Sequence, residues 1–353
     1  MSRDISYAHA VNEAQAAMLA TRDDVYLMGL GVTDAGGVFG TTKGLVDRFG
    51  RDRVMEMPVS ENAMTGIAIG SALAGRRPIM VHQRLDFMVL AMDQLVNEAA
   101  KWHYMFNGRC RVPLTVRLIV GRGWGQGPQH SQSLHAWFAH IPGLKVVMPF
   151  SPADAKGLLI AAIADDNPVV VIEHRWLHNL FGPVPEETHP LPLGQAKIVR
   201  PGRDATIISL SYMTLEALRC TKALEAAGLD IEVLDIRSLR PLDTAAILES
   251  ARRTGRVVVA DQGWSACGMA AEILAVLAEG AYGALLAPPV RVTLADCPVP
   301  TSPALSTGCY PDARDIARAL AKTLGTPTDL TEWLPGAGHC PADVPDKSFM
   351  GPF

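Results

Sequence analysis

The chain has 353 residues, 48% hydrophobic and 19% charged, with a formal net charge of −4. That length allows two domains with ample buried core, and the slight acidity excludes any bias toward nucleic acid or an anionic membrane surface. Six cysteines without a CxxC pair argue against a zinc site or disulfide framework, and the start of the chain lacks the apolar core of a signal peptide, so a soluble cytoplasmic protein is expected.

Helical and extended patterns alternate, which predicts an α/β fold with largely parallel sheets. Tyr7 to Ala20 reads as an amphipathic helix and Val25 to Gly29 as a short buried strand, followed by a glycine-rich loop to Gly40. Val54 to Val59 reads as a second strand, and a helix is expected from about Glu61 to Leu73. Ala74-Gly-Arg-Arg-Pro78 ends that helix, with glycine past the last turn and proline beyond it. Ile79 to His82 is the next strand, Met88 to Tyr104 a helix, and Leu114 to Val120 a strand running into Gly121-Arg-Gly-Trp-Gly-Gln-Gly-Pro128. Lys145 to Met148 and Pro168 to Ile172 complete a first sheet. Prolines at 183, 185, 190 and 192 among polar residues mark a linker. Strands at Ala205 to Leu210, Ile231 to Asp235 and Val257 to Ala260 then alternate with helices at Thr214 to Ala227, Thr244 to Arg253, Gly268 to Glu279 and Asp312 to Leu324. The expected organisation is a first domain over 1–177, a linker over 178–201, a second domain over 202–326 and an irregular arm over 327–353.

Glu61 stands out. An apolar run closes on Pro58-Val-Ser, an acid follows, and a helix of small residues begins. The mouth of a strand-to-helix turn is where α/β sheets bind ligands; an acid there is also what a helix dipole favours.

Several unusual strings recur in order: Pro58-Val-Ser-Glu61, Phe39-Gly-Thr-Thr-Lys-Gly-Leu45, Met92-Asp-Gln-Leu-Val-Asn-Glu-Ala-Ala-Lys101, Gln129-His-Ser-Gln132 with Ala136-Trp-Phe-Ala-His-Ile-Pro-Gly-Leu-Lys-Val-Val147, and Asp235-Ile-Arg-Ser-Leu-Arg-Pro-Leu-Asp243. Together they make the span from about Tyr7 to Leu324 resemble the β subunits of thiamine diphosphate-dependent 2-oxo acid dehydrogenases (the E1 component of pyruvate, acetoin or branched-chain type). The resemblance implies a transketolase-like pyrimidine-binding domain, a three-layer α/β/α unit with a parallel sheet, followed by a transketolase C-terminal α/β domain.

It further implies that Glu61 protonates the aminopyrimidine ring of thiamine diphosphate, that Phe87 lays an aromatic ring against that group, and that Leu30 lies at the cofactor. It places His130 at the reacting carbon, where it assists transfer to the lipoyl group of an acyltransferase subunit. Phe87 as a plain core residue and His130 as a solvated loop histidine are the other readings. Backbone oxygens at Leu114, Ala162 and Ile163, with Asp165 and Asn167, match the place where some relatives hold potassium; such residues also form ordinary turns.

The diphosphate needs Mg2+, usually held by Gly-Asp-Gly followed by Asn, and no Gly-Asp-Gly occurs here. The resemblance therefore implies an α subunit that supplies the Mg2+ site, in an α2β2 assembly. Three departures bear on the substrate. Val81-His-Gln-Arg-Leu-Asp-Phe87 replaces the usual Glu-Phe-Met-Thr-Phe-Asn-Phe, Leu30-Gly31 replaces an acidic pair, and Gly121-Arg-Gly-Trp-Gly125 replaces a Pro-Asn-Gly form. His82, Arg84 and Arg122 are thus candidates for a cationic pocket suited to a polar or anionic substrate, or simply partners of neighbouring acids. A split transketolase or carboligase transferring a two-carbon unit stays open beside the dehydrogenase, as does a non-catalytic scaffold, against which Glu61, Phe87 and His130 speak.

Overall fold

A computed structural model describes residues 2–121, 125–306 and 308–334, in two compact units. The first is built on 2–121 and 129–193. Six parallel strands lie side by side in the order Lys145–Val147, Val169–His174, Thr115–Val120, Arg77–His82, Val25–Gly29 and Val54–Glu56. Val25–Gly29, Thr115–Val120 and Val169–His174 are buried at every position, as expected for parallel strands covered on both faces. Because the strands are parallel, their carboxyl ends share one edge.

The helices start where the chemistry of their first residues dictates. Ser6 caps Tyr7–Thr21 by accepting from the His9 backbone N–H, and Ser151 caps Pro152–Ala164 by accepting from Asp154, with proline in the first turn. These two helices pack on each other. The helix Glu61–Leu73 buries Thr65, Ala68, Ile69 and Ala72, and the Thr65 hydroxyl reaches Met80 Sδ in the strand Arg77–His82 at 3.4 Å.

Two expectations differ from what is observed. The single helix expected over Met88 to Tyr104 is a series of short pieces: α over Leu85–Met88, 3-10 over Val89–Ala91, π over Gln94–Ala99 and α over Ala100–Met105. The widened turn coincides with close packing, since a Cβ at Gly66 would stand 3.1 Å from Gln94 Oε1. In the proline-bearing stretch read as linker, Phe181–Pro185 pairs antiparallel with Ser2–Ser6, and Lys197–Arg200 is a strand of the second unit.

The second unit contains 125–128 and 194–334 among the described residues. Its sheet runs Val290–Leu294, Val257–Trp264, Ala205–Ser209, Ile231–Asp235 and Lys197–Arg200, parallel except for the last strand. Tyr212–Leu224 and Ala313–Leu324 bury Ala217, Cys220, Leu224, Ile316, Ala317 and Leu320 in one core, and Asp312 and Asp315 close a capping box on the second helix. The arm expected to be irregular from 327 begins with the 3-10 turn Leu330–Trp333; Leu330 and Leu334 join this core because they are apolar and lie beside Ala313–Leu324. The remainder of the arm, 335–353, lies outside the described residues. No helix among the described residues is long and apolar enough to cross a membrane.

Candidate active site

The carboxyl edge of the first sheet gathers Leu30, Glu61, His82, Arg84, Phe87 and His130, whereas Leu114, Asp165 and Asn167 lie at the amino ends of its strands. Glu61 opens its helix one short turn beyond the strand Val54–Glu56. Its side chain belongs to a residue only 7% exposed, and no described residue hydrogen-bonds its carboxylate. Ser60 offers no side-chain cap either. The helix packs on the turn Val89–Ala91 that follows Phe87, which brings the two candidate cofactor residues onto adjoining elements.

Phe87 is half-buried, and its ring meets the His130 imidazole edge-on at a centroid distance of 5.4 Å. The neighbouring carboxylate fixes this contact from the backbone side: Asp86 Oδ1 accepts from Gln132 Nε2 at 2.9 Å and from the Gln132 backbone N–H at 3.3 Å. Burial raises the Asp86 carboxyl above its usual range, while the Gln132 hydrogen bonds oppose the rise. Sequence reasoning missed Asp86; the signal was its substitution for asparagine in a segment already known to be unusual.

Leu30 is half-buried in the loop after Val25–Gly29, with its carbonyl accepting from Gln83 Nε2 at 3.0 Å. Beside it the Glu56 carboxylate, a residue not foreseen, accepts from Gly31 N–H at 2.5 Å and from the Thr33 hydroxyl at 3.0 Å. An acid thus reaches the Leu30-Gly31 segment from the next strand.

His82 ends the strand Arg77–His82, 2% exposed, and its Nε2 has no hydrogen-bond partner among the described residues. Burial pushes its pKa down to about 4. Arg84, 3% exposed, donates through Nη1 to the Gly121 carbonyl at 3.0 Å, and burial pushes its pKa to about 10, with Asp86 opposing. Arg122 lies outside the described residues. Arg175, also missed by sequence, is 1% exposed and lies over the Phe39 ring at 4.0 Å. Burial and the neighbouring Arg84 charge push it down to about 9.

Under this edge lies a buried ion-pair network. Arg117 donates to both Glu173 oxygens at 2.6 and 2.9 Å and to Gln15 Oε1 at 2.8 Å, and His178 Nε2 lies 3.1 Å from Glu173 Oε2. The strand Thr115–Val120 carries this arginine inward with every residue buried.

The oxygens expected around potassium are partly engaged. Leu114 O accepts from Val169 N–H, Ala162 O from Asp165 N–H, and Arg77 Nη1 donates to Ile163 O at 3.4 Å and Asp165 O at 2.8 Å. Lys145 pairs with Asp165 and Arg77 with Asp166, so the local acids are already neutralised. Asn167 Oδ1 is buried with no hydrogen-bond partner among the described residues. That orphaned oxygen fits a monovalent ion held by dipoles; the charge balance does not fit a divalent one. Among the described residues no group of three or more His, Cys, Asp or Glu is placed to hold a metal.

A buried carboxyl, a half-exposed aromatic face and an imidazole are the donor set that an aminopyrimidine and an adjacent reacting carbon require. The chain matches the model of the transketolase pyrimidine-binding domain over residues 3–179 and that of the transketolase C-terminal domain over 194–316. It is 43% identical over 334 residues to the acetoin:2,6-dichlorophenolindophenol oxidoreductase subunit beta of Cupriavidus necator, covering 92% of this chain and 98% of that protein. It is 38% identical over 318 residues to the pyruvate dehydrogenase E1 component subunit beta of Rickettsia felis, covering 90% and 98% respectively. Among solved structures, a split-gene transketolase described as an inactive beta4 tetramer superposes with a TM-score of 0.75 at 23% identity, over 92% of this chain and 99% of that one.

Proposed function

Because this chain belongs to the transketolase-like family of E1 β subunits, which use thiamine diphosphate, we propose that Glu61, Phe87 and His130 are its half of a 2-oxo acid dehydrogenase active site. Thiamine diphosphate, when bound, supplies the nucleophilic carbon and the electron sink for decarboxylation. The chain's own residues set the conditions. Glu61 holds a proton at the aminopyrimidine ring nitrogen, Phe87 supports one face of that ring, and the Leu30 loop borders it. His130, steadied by Phe87 and by the Asp86–Gln132 contact, moves a proton at the reacting carbon during decarboxylation and acyl transfer. His82 and Arg84 line the substrate side.

The observation that carries this reading is the Glu61 carboxylate, nearly buried at the ligand-binding edge of the sheet and without a hydrogen-bond partner among the described residues. A nearly buried acid left so is available to a ligand. The α subunit completes the site by holding Mg2+ and the diphosphate, in an α2β2 assembly that hands the acyl group to a lipoyl acyltransferase. Potassium at Leu114, Ala162, Ile163, Asp165 and Asn167 plays a structural part. The free cysteines suit a reducing cytoplasm. To test the reading, the complex with the α subunit is assayed for 2-oxo acid-dependent dye reduction. Glu61→Gln lowers turnover by at least about 100-fold while the complex still assembles; unchanged turnover removes Glu61 from the mechanism.

A further inference from the structure

We propose that Cys297 and Cys309 form a redox-modification site, a dithiol that hydrogen peroxide converts to a disulfide and a small dithiol converts back. The site lies in the second unit, and its chemistry asks nothing of the cofactor.

The two residues stand twelve positions apart, between the strand Val290–Leu294 and the helix Ala313–Leu324, and their Sγ atoms are 4.0 Å apart. Backbone hydrogen bonds hold them there. Ala295 N–H donates to the Cys309 carbonyl at 3.1 Å, and Cys297 N–H donates to the Ala295 carbonyl at 2.8 Å. Both cysteines are thus tied to Ala295. A disulfide needs its sulfurs about 2.05 Å apart, so the gap has to close by about 2 Å. The run 295–302, which carries Cys297, has neither helix nor strand to resist that movement. Leu294, Val299, Tyr310 and the partly buried Trp264 pack Cys309 in an apolar cluster.

The two environments set the order of events. Cys297 is exposed, whereas Cys309 is 5% exposed, so peroxide meets Cys297 first. The Cys297 thiolate sulfur bonds to one peroxide oxygen, the O–O bond breaks, and the other oxygen leaves as water, giving the sulfenic acid. The Cys309 sulfur then bonds to the Cys297 sulfur, the S–O bond breaks, and a second water leaves. Two thiols and one H2O2 become one disulfide and two waters. The sulfurs lose two electrons, the peroxide oxygens gain them, and both thiol protons leave in the waters. Cys220 shows the opposite setting: it is fully buried, and burial together with Glu216 pushes its thiol up to about 12, which withholds the reactive thiolate.

The ring closed by this bond includes Thr301. A Cβ at Gly127 would stand 2.5 Å from Thr301 Oγ1, and one at Gly125 would stand 3.2 Å from the Thr301 carbonyl oxygen. Gly127 precedes His130 by three positions. The modification therefore falls on the loop against which the chain leading to His130 is packed.

The test uses the complex with the α subunit, reduced, freed of reductant and treated with a small excess of hydrogen peroxide. After unfolding in iodoacetamide, trypsin releases both cysteines in one peptide, Val292–Arg314, because no lysine or arginine lies between them. The expected product is this peptide two hydrogens lighter than its thiol form, with both alkylation sites lost; dithiothreitol restores them. Cys309→Ser leaves Cys297 as a sulfenic acid that dimedone captures, and Cys297→Ser leaves Cys309 reduced. Cys220 stays alkylatable and reports that the fold is intact. Three results overturn the site: Cys297 carried to the sulfinic acid while Cys309 stays alkylatable, Cys297 joined to any other cysteine, or both thiols untouched by peroxide that oxidises the exposed Cys267.

Discussion

Replacing Glu173 by glutamine removes one charge from a pair with no access to water, since the Arg117 and Glu173 side chains are 0% and 1% exposed. Burial alone would raise the Glu173 carboxyl, but Arg117 and His178 outweigh it and bring it from 4.5 to about 2. A tenfold change in acidity is worth about 1.4 kcal/mol, so the network contributes roughly 3 kcal/mol to folding at neutral pH. That matches the about 3–5 kcal/mol lost when one member of a buried pair is removed. At about 2–4 °C per kcal/mol for a domain of this size, Glu173→Gln melts roughly 10 °C below wild type at pH 7.5. The sign with pH follows. The folded value lies below the unfolded one, so the stabilisation is complete above pH 4.5 and is lost as pH falls towards 2. Burial also lowers the His178 imidazole, so charging it in acid opposes folding in the same direction. Calorimetric scans at neutral, mildly acidic and strongly acidic pH are the assay, and the gap between the proteins narrows to less than half by about pH 3. A melting temperature within about 2 °C of wild type at neutral pH, or a gap that ignores acid, would refute the reasoning.

Other outcomes follow from single contacts. Asp86→Ala frees Gln132 and with it the loop carrying His130, so kcat falls about tenfold with little change in melting temperature, and Asp86→Asn recovers most of it because an acceptor oxygen remains. Gly143→Ala would place a Cβ 1.9 Å from the Ala100 carbonyl oxygen at φ +99°, which costs about 3 kcal/mol or more; poor soluble yield or a melting point lowered by about 10 °C checks it. Wild type melts a few degrees higher in potassium than in sodium at equal ionic strength, and Asn167→Ala loses that difference if its buried oxygen holds the ion.

Much of the first unit was legible because its sequence signals are local. Val25–Gly29 and Thr115–Val120 are short apolar runs between turn residues, and the helix Glu61–Leu73 is bounded by an acid and by Gly75. What escaped were features set by distant partners. Residues 88–104 carry a helical pattern, yet Gln94 lies close against Gly66 of the helix Glu61–Leu73 and the turn there is wide rather than regular. Ser2–Ser6 has no strand signature of its own and is extended because Phe181–Pro185 pairs with it. Arg117 within an apolar strand gave no hint that Glu173, fifty-six positions on, would neutralise it. At the candidate site, Glu61, Phe87 and His130 were visible through motif resemblance. Arg175, Glu56 and Asp86 were not, since their importance comes from which strand ends meet.

The segment from His82 to Phe87 couples contacts that the sheet would otherwise keep apart. One six-residue stretch carries a neutral imidazole, a guanidinium, the carboxylate that tethers the histidine loop, and the aromatic ring of the proposed cofactor pocket. The strands beneath it are buried, and the turn, itself mostly buried, leaves the sheet at their carboxyl ends. A single substitution in this turn therefore acts on the histidine loop and on the proposed cofactor pocket together.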